Sequence, residues 1–200
     1  PTSTVTVTPS GPWGERTASS VASAIAHLGP VIVTRVSEEP GATVFELRGG
    51  GGARELRDLL VAADPEDLMA SGALTSLRPG SAVLVVSSGS PDGSGPAIAH
   101  RLGTRARAAL GALELHVYRL PLDDLDGDTL AGAALACLGS GSAAVLAEPV
   151  AAELEREGCA DRAARIRDGA LRCRPVDPEL LAPDTVGEEV DFRDHPVGPQ

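Results

Sequence analysis

The apolar run Ala82–Val86 constrains the fold of this chain more than any other segment. Every position in the run is apolar, which is typical of a strand buried on both faces at the centre of a parallel sheet. A loop of small residues follows at 87–95, and Pro96 begins an alanine-rich helical pattern that continues to Leu113. Strand, loop and helix in this order predict an α/β fold with a helical crossover. The helix N-terminus would also present backbone N–H groups to a ligand.

Four other segments have strand patterns. Six residues with a Pro-Gly turn separate Val31–Val36 from Thr43–Arg48, so we predict an antiparallel hairpin whose second strand is an edge. Glu114–Arg119 alternates polar and apolar residues after the crossover helix, which predicts an edge strand parallel to Ala82–Val86. Ala143–Ala147 is short and apolar and is predicted to be a central strand.

Numbered along the chain, the five predicted strands fit a mixed, mostly parallel sheet. Its simplest order is 4-3-5-1-2, and the alternative arranges strands 1 and 5 differently in the middle. Helices on both faces would make a three-layer α/β sandwich. The other predicted helices are Glu15–Leu28, Ala53–Ala63, Pro65–Ala70, Thr129–Leu138 with Asp128 as N-cap, Pro149–Glu157 and Asp161–Asp168, and Ala170–Arg174 is predicted as a last short strand. We predict a flexible arm at 1–14, one domain at 15–176 and an acidic, proline-rich arm at 177–200.

Composition and charge exclude several functions. All 17 positive charges are arginine, so there is no lysine for a Schiff base, a general base or a Walker A phosphate site. This bias is typical of a GC-rich bacterial genome. The net charge of −11 argues against a nucleic-acid partner. No apolar run reaches membrane-spanning length and the first residues do not resemble a signal peptide, so we expect a soluble, cytoplasmic protein with no membrane partner.

The three cysteines are Cys137, Cys159 and Cys173. Their spacings match no zinc or redox motif. We therefore predict structural roles for all three, since a buried thiol packs as a small apolar group.

Open α/β sheets bind ligands beyond the carboxyl ends of their strands, where the strand order reverses. Three loops are predicted to meet there, after the third, fourth and fifth strands. The candidate ligand-binding residues are Ser88, Gly89, Ser90, Gly93 and Ser94, the catalytic candidates are Asp92, Glu148 and His100, and the candidate metal ligands are Asp92, Asp123, Asp124 and Glu148. Such carboxylates suit a divalent metal with an anionic substrate. A carboxylate pair in acid–base catalysis is the alternative.

Ordinary structural roles exist for the same acids. Asp92 before Gly93 suits a turn, and Glu148 before Pro149 would complement a helix N-terminus. The turn at 122–128 suits solvated aspartates that lead into an N-cap. No Gly-x-Ser-x-Gly motif occurs, and the glycines of the 87–95 loop lack the spacing of a dinucleotide-binding fingerprint.

The segment Ser88–Leu102, SGSPDGSGPAIAHRL, resembles part of the nickel–iron hydrogenase maturation endopeptidases. In that family an acid-Gly-x-Gly turn lies between a strand and a helix. The resemblance implies that Asp92 and Glu148 match the acids that bind nickel. It covers one short segment of the 200 residues, with a shorter loop and without the usual asparagine, and we do not assign the chain to this family.

Two functions therefore stay open. One is a small-molecule-binding domain, specifically a metal-assisted hydrolase with its site at the carboxyl ends of the third, fourth and fifth predicted strands. The other is a non-catalytic accessory or scaffold subunit that binds a protein partner through its edge strands and arms, as two polar tails and the lack of a complete catalytic set suggest. We expect a homo-oligomer in both cases.

Overall fold

The computed structural model describes residue 23 and the ranges 31–39, 42–49, 58–62, 77–88, 94–122, 126–139 and 143–182. Within these ranges the strands are β1 Val31–Glu39, β2 Ala42–Gly49, β3 Leu59–Ala62, β4 Ala82–Ser88, β5 His116–Leu122 and β6 Arg174–Pro175. The helices there are α1 Gly95–Ala112, α2 Gly127–Leu138, α3 Ala143–Arg156, α4 Ala160–Arg172 and α5 Pro178–Leu181.

The mixed α/β class predicted from the sequence is confirmed. Strands β3, β4 and β5 are parallel neighbours, and β6 adds to β5 in the antiparallel direction. These four strands make a mixed sheet, and the hairpin β1–β2 pairs with β3 through β2. The predicted antiparallel hairpin and the predicted parallel pairing of β4 with β5 are both confirmed. Each follows from the length of its connection, because six residues cannot make a crossover and a long helix can.

Alternate residues of the central strands belong to two separate hydrophobic clusters. The α2-side core contains Leu59 and Leu84 together with residues of α2, α3 and α4. The α1-side core contains Leu60 and Val83 together with residues of α1 and α5. Since successive strand residues point to opposite faces, α1 and α2 pack against opposite faces of these strands.

Helix α2 lies deep in the α2-side core. Every residue from Asp128 to Leu138 is buried. Its sequence is mostly alanine, glycine and leucine, so neighbouring helices can approach its backbone closely. This packing is how a chain with only 2% aromatic residues fills its core.

The helix predicted at Ala53–Ala63 is wrong in the part that the structure describes, because Leu59–Ala62 is strand β3. The four residues lie between β2 and β4, and all are buried. Their leucines match a helical spacing, but a short continuous apolar run fits a doubly buried strand equally well. The neighbouring strands decide between the two.

The strand predicted at Ala143–Ala147 is also wrong, because these residues begin helix α3. Buried residues at Ala147, Val150 and Leu154 have helical spacing and pack in the α2-side core. Both sides of β4 are already occupied by β3 and β5, so no further strand can pair with it. The predicted strand order 4-3-5-1-2 is therefore wrong, and Pro149 lies inside a helix rather than at its start.

The two predicted edge strands have neighbours on both sides. Strand β2 lies between β1 and β3, and β5 lies between β4 and the two-residue strand β6. Polar alternation reports a solvated face, but it does not reveal whether a distant segment adds a strand. The predicted last strand is displaced accordingly, since 170–172 end helix α4 and only Arg174–Pro175 pair with β5.

The crossover helix is confirmed as α1, but Gly103 interrupts it. Its φ of 72° and ψ of 168° belong to a region that only glycine enters readily.

Part of the predicted acidic arm packs against the rest of the fold. Helix α5 buries Leu181 in the α1-side core, so 177–182 lie against the domain. Ser23 is helical, as predicted. The rest of the Glu15–Leu28 helix, the Pro65–Ala70 helix, the arm at 1–14 and residues 183–200 lie outside the described residues.

Candidate functional site

The carboxyl ends of β4 and β5 lie side by side at one edge of the sheet. The strands are parallel and in register, with Ser88 opposite Leu122. The chain continues from β4 into α1 and from β5 into α2. Because these helices pack in different cores, adjacent strand ends lead to opposite faces of the sheet. We call the edge of β4 and β5, with the connections 89–93 and 123–125 and the N-termini of α1 and α2, the carboxyl-edge site.

Ser94 is the N-cap of α1. Its backbone is extended, and its hydroxyl oxygen accepts a hydrogen bond from the backbone N–H of Ala97 at 3.4 Å. The next residue, Gly95, lies beneath α5, where a Cβ would be 3.5 Å from Leu180 Cδ1. Packing against α5 therefore holds the start of α1 in place, and capping accounts for the identity of Ser94.

Asp126, and not Asp128 as predicted, is the N-cap of α2. Its carboxylate accepts hydrogen bonds from the Asp128 N–H at 3.4 Å and from the Thr129 hydroxyl at 2.7 Å. The Asp128 carboxylate instead pairs with two arginines from α4. Arg162 Nε lies 3.3 Å from its Oδ1, and Arg165 Nη1 lies 3.5 Å from its Oδ2.

Arg162 and Arg165 were not among the site residues predicted from the sequence. Arg162 is 34 residues from Asp128, and only the packing of α4 on α2 brings the two together. The side chains of Arg162 and Arg165 are 41% and 50% exposed. Arg165 Nη1 also lies 3.9 Å from Asp126 Oδ1. A guanidinium has five N–H donors, so these ion pairs leave donors on each arginine that can bind an anionic group. The basic face of Asp161–Asp168, visible in the sequence, was the one available signal.

Glu148 does not lie at the end of a strand, so that predicted position is wrong. It lies on an exposed face of α3, where its carboxylate accepts hydrogen bonds from Arg167 Nε at 3.0 Å and from Nη2 at 2.8 Å. Arg167 also pairs with Glu155. Hydrogen bonds from Arg167 lower the pKa of both glutamates and raise the pKa of the arginine. The three residues link α3 to α4.

Replacing Arg167 with leucine is expected to lower the melting temperature by about 3 °C or less at low salt, because exposed ion pairs contribute little. The pKa of Glu148 is below its usual 4.5 in the folded chain, so the contribution is present above that value. It is lost as the pH falls through the lowered pKa. Thermal unfolding from pH 7 to pH 3 measures this.

Arg172→Leu is the matched control for Arg167→Leu. Arg172 lies on the same helix, and within the described part of the chain its ion pair is local, with Asp168 at 3.1 Å. We expect its effect to be smaller and to depend less on pH. An Arg167→Leu difference that does not shrink as the pH is lowered, or that persists in 1 M salt, would contradict the electrostatic account.

The remaining predicted site residues divide into two groups. His100 is exposed on α1, and Ser88 ends β4. Outside the described residues lie Gly89, Ser90, Asp92, Gly93, Asp123 and Asp124. Among the described residues, no group of three or more His, Cys, Asp or Glu side chains could hold a metal ion. None of the helices in the described ranges is long and apolar enough to span a membrane.

Comparison with known proteins adds no functional assignment. No protein-family model matches the chain, and neither the curated proteins nor the solved structures give a significant match. The function must therefore be inferred from the residues of the chain itself.

Proposed function

We propose that this chain binds a small molecule at the carboxyl-edge site. The observation that supports this most directly is that β4 and β5, adjacent and parallel, continue into helices that pack in opposite cores. In open α/β sheets such a divergence separates the two connections and opens a crevice for a ligand. The three-layer sandwich predicted from the sequence belongs to this proposal. The strand order runs from β1 to β6 without the reversal predicted from the sequence, so the proposed crevice depends on the divergence of α1 and α2 alone.

The residues of the two connections suggest the ligand chemistry. Asp92 belongs to the first, and Asp123 and Asp124 belong to the second. Carboxylate oxygens are preferred ligands of hard divalent cations. Arg162 and Arg165 add positive charge beside the N-terminus of α2, where an anionic group of a substrate can pair with them.

Metal-assisted hydrolysis is the reaction class that this combination favours. A divalent metal would polarise a substrate oxygen and lower the pKa of a bound water molecule. Asp92, Asp123 and Asp124 would hold the metal, and the two arginines would orient the substrate. Glu148 is left out of this set because Arg167 already holds its carboxylate on α3.

Binding of Mn²⁺ tests this proposal. We expect the chain to bind Mn²⁺, and we expect Asp92→Ala and Asp124→Ala each to weaken binding at least tenfold by removing a charged oxygen ligand. Electron paramagnetic resonance of unbound Mn²⁺ measures the affinity, and circular dichroism checks that each variant is folded. Glu148→Gln is the matched control, because it removes a carboxylate of equal charge away from the carboxyl-edge site and should leave Mn²⁺ binding unchanged.

The opposite pattern would overturn the metal assignment. A chain that binds no Mn²⁺, or whose binding depends on Glu148 and not on Asp92, does not have the proposed site.

The second candidate, a non-catalytic subunit, is favoured by β1, which among the described strands pairs only with β2. An edge strand of this kind can add a strand from a partner. A chain without Mn²⁺ binding whose assembly dissociates on removal of 183–200 would support this second function.

A further inference from the structure

The α2-side core contains a pair of cysteines whose thiols are in contact. Cys137 Sγ lies 3.5 Å from Cys173 Sγ. Both residues are buried, with 0% and 4% of their surface exposed. Cys137 is in the last turn of α2, and Cys173 is the C-cap of α4. The two sulfurs are 36 residues apart in the chain.

Backbone contacts hold Cys173 in place beside α2. The Cys173 N–H donates to the Gly169 carbonyl at 3.1 Å, and Gly169 is packed directly against the backbone of α2 at Thr129. The residues after Cys173 pair with β5 as strand β6. The two sulfurs are thus held in contact by the packing of α4 on α2 and by the sheet, and a disulfide requires their 3.5 Å separation to shorten to about 2.05 Å.

We propose that Cys137 and Cys173 are a site of oxidative modification, at which a peroxide forms an intramolecular disulfide. One sulfur, as thiolate, attacks a peroxide oxygen. The O–O bond breaks, and the departing oxygen leaves as water after taking up a proton, which produces a sulfenic acid. The second sulfur attacks the sulfenic sulfur, the S–O bond breaks and a second water leaves. The two sulfurs together lose two electrons, which reduce one hydrogen peroxide to two water molecules.

Burial decides which oxidant can act. Hydrogen peroxide is close to water in size and can enter through small fluctuations of the core. A tripeptide disulfide such as oxidised glutathione must bring its own sulfur into line with the thiol, which a side chain of 0% or 4% exposure does not allow. Cys159, the N-cap of α4, is only partly buried. It is the matched control within the same chain, because it should react with oxidised glutathione while the pair does not.

A disulfide at this position would also stabilise the fold. It would close a loop that contains α3 and α4 and would restrict the unfolded chain. We expect the oxidised form to melt about 10 °C above the reduced form, from loop-closure entropy and the usual size of the unfolding entropy.

Peptide mapping of the full chain tests the proposal. Trypsin places the three cysteines in three peptides, 120–156, 157–162 and 173–193, because Arg174 precedes proline and is not cleaved. After treatment of the folded chain with hydrogen peroxide, we expect peptides 120–156 and 173–193 to be linked and to separate on reduction. Oxidised glutathione should modify only peptide 157–162.

Unfolding in urea provides the contrast. Without the fold, short loops close more readily than long ones, so Cys159 should dominate the pairing, since it lies 14 residues from Cys173 and 22 from Cys137. Cys159→Ser should leave the native link intact and should lose the mass of two hydrogen atoms on oxidation. Cys173→Ser should abolish the link.

Several results would overturn the proposal. For the Cys159→Ser variant, three results would contradict it: oxidation that adds oxygen to a cysteine without forming a disulfide, a disulfide between two chains, or no reaction with peroxide. For the folded wild-type chain, a disulfide that joins peptide 157–162 to another peptide would also contradict the proposal. Because the main readouts use the wild type and Cys159→Ser, the test remains decisive even if Cys173→Ser does not fold.

Discussion

Alanine at Gly169 is expected to lower the free energy of unfolding by about 3 kcal/mol. A Cβ at this position would overlap the Thr129 carbonyl oxygen and would lie 2.7 Å from the carbonyl carbon. These are backbone atoms of α2, so no side chain can rotate away, and α4 must shift as a whole. The reciprocal contact is at Gly132, where an added Cβ would overlap the Ile166 carbonyl oxygen. Unfolding in urea, followed by circular dichroism, measures the effect.

Gly111→Ala is the matched control for this prediction. Gly111 is exposed in α1, and no atom beyond its chain neighbours and the adjacent backbone of α1 lies within 4 Å of the position that a Cβ would take. Alanine there should stabilise the chain by about 0.5–1 kcal/mol through helix propensity. The double variant Gly132→Ala/Gly169→Ala should lower the free energy of unfolding by less than the sum of the two single effects. Helices that one added Cβ has already moved apart have room for the second. A Gly169→Ala variant as stable as wild type would show that α2 and α4 are not in backbone contact.

Replacing Arg78 with methionine is expected to lower the free energy of unfolding by about 3 kcal/mol, near the lower end for breaking an ion pair whose carboxylate is buried. Arg78 donates from Nε to Asp58 Oδ2 at 2.6 Å and from Nη2 to Oδ1 at 2.7 Å. The Asp58 side chain is 3% exposed, whereas the Arg78 side chain is 63% exposed. When the arginine is removed, the carboxylate remains in the interior without these two hydrogen bonds and water cannot readily replace them.

Removing the aspartate should destabilise the chain less than removing the arginine. Asp58→Ala removes the buried charge, and the exposed guanidinium can be hydrated, so we expect a smaller loss of stability than for Arg78→Met. Arg78→Lys should be intermediate, because lysine keeps the charge but cannot make both hydrogen bonds. Urea unfolding of the three variants gives the order. A greater loss for Asp58→Ala would contradict the asymmetry in exposure.

The position of this ion pair separates its effect from the proposed site. Asp58 immediately precedes β3, and its carbonyl oxygen accepts a hydrogen bond from the Ala82 N–H at the start of β4. The pair therefore lies at the amino ends of the strands, opposite the carboxyl-edge site. Arg78→Met that still folds should bind Mn²⁺ like the wild type.

Local patterns predicted those parts of the fold whose partners are near in the chain. The hairpin β1–β2 followed from a six-residue connection, and the parallel pair β4–β5 followed from the crossover helix between them. The Ala82–Val86 run indicated a strand buried on both faces, and its five residues are at most 2% exposed. Periodicity failed at β3 and at the start of α3, where short apolar runs fit more than one structure.

The candidate site divides in the same way. The sequence predicted a ligand site at the edge following Ser88, because strand, loop and helix N-terminus adjoin there. It could not indicate that Glu148 lies elsewhere, because that depended on whether Ala143–Ala147 formed a strand or a helix. Nor could the sequence indicate that Arg162 pairs with Asp128, because that ion pair requires α4 to pack against α2.

The sequence alone thus determined the class of the fold, its central strand and its crossover helix, since these depend on residue periodicity and connection length. The tertiary structure alone decided the sheet order, the divergence of α1 and α2, the arginines beside the carboxyl edge and the contact between Cys137 and Cys173. The physical reason is that these features arise from packing between segments tens of residues apart. Small glycine and alanine side chains permit that packing, but many alternative pairings have the same local pattern.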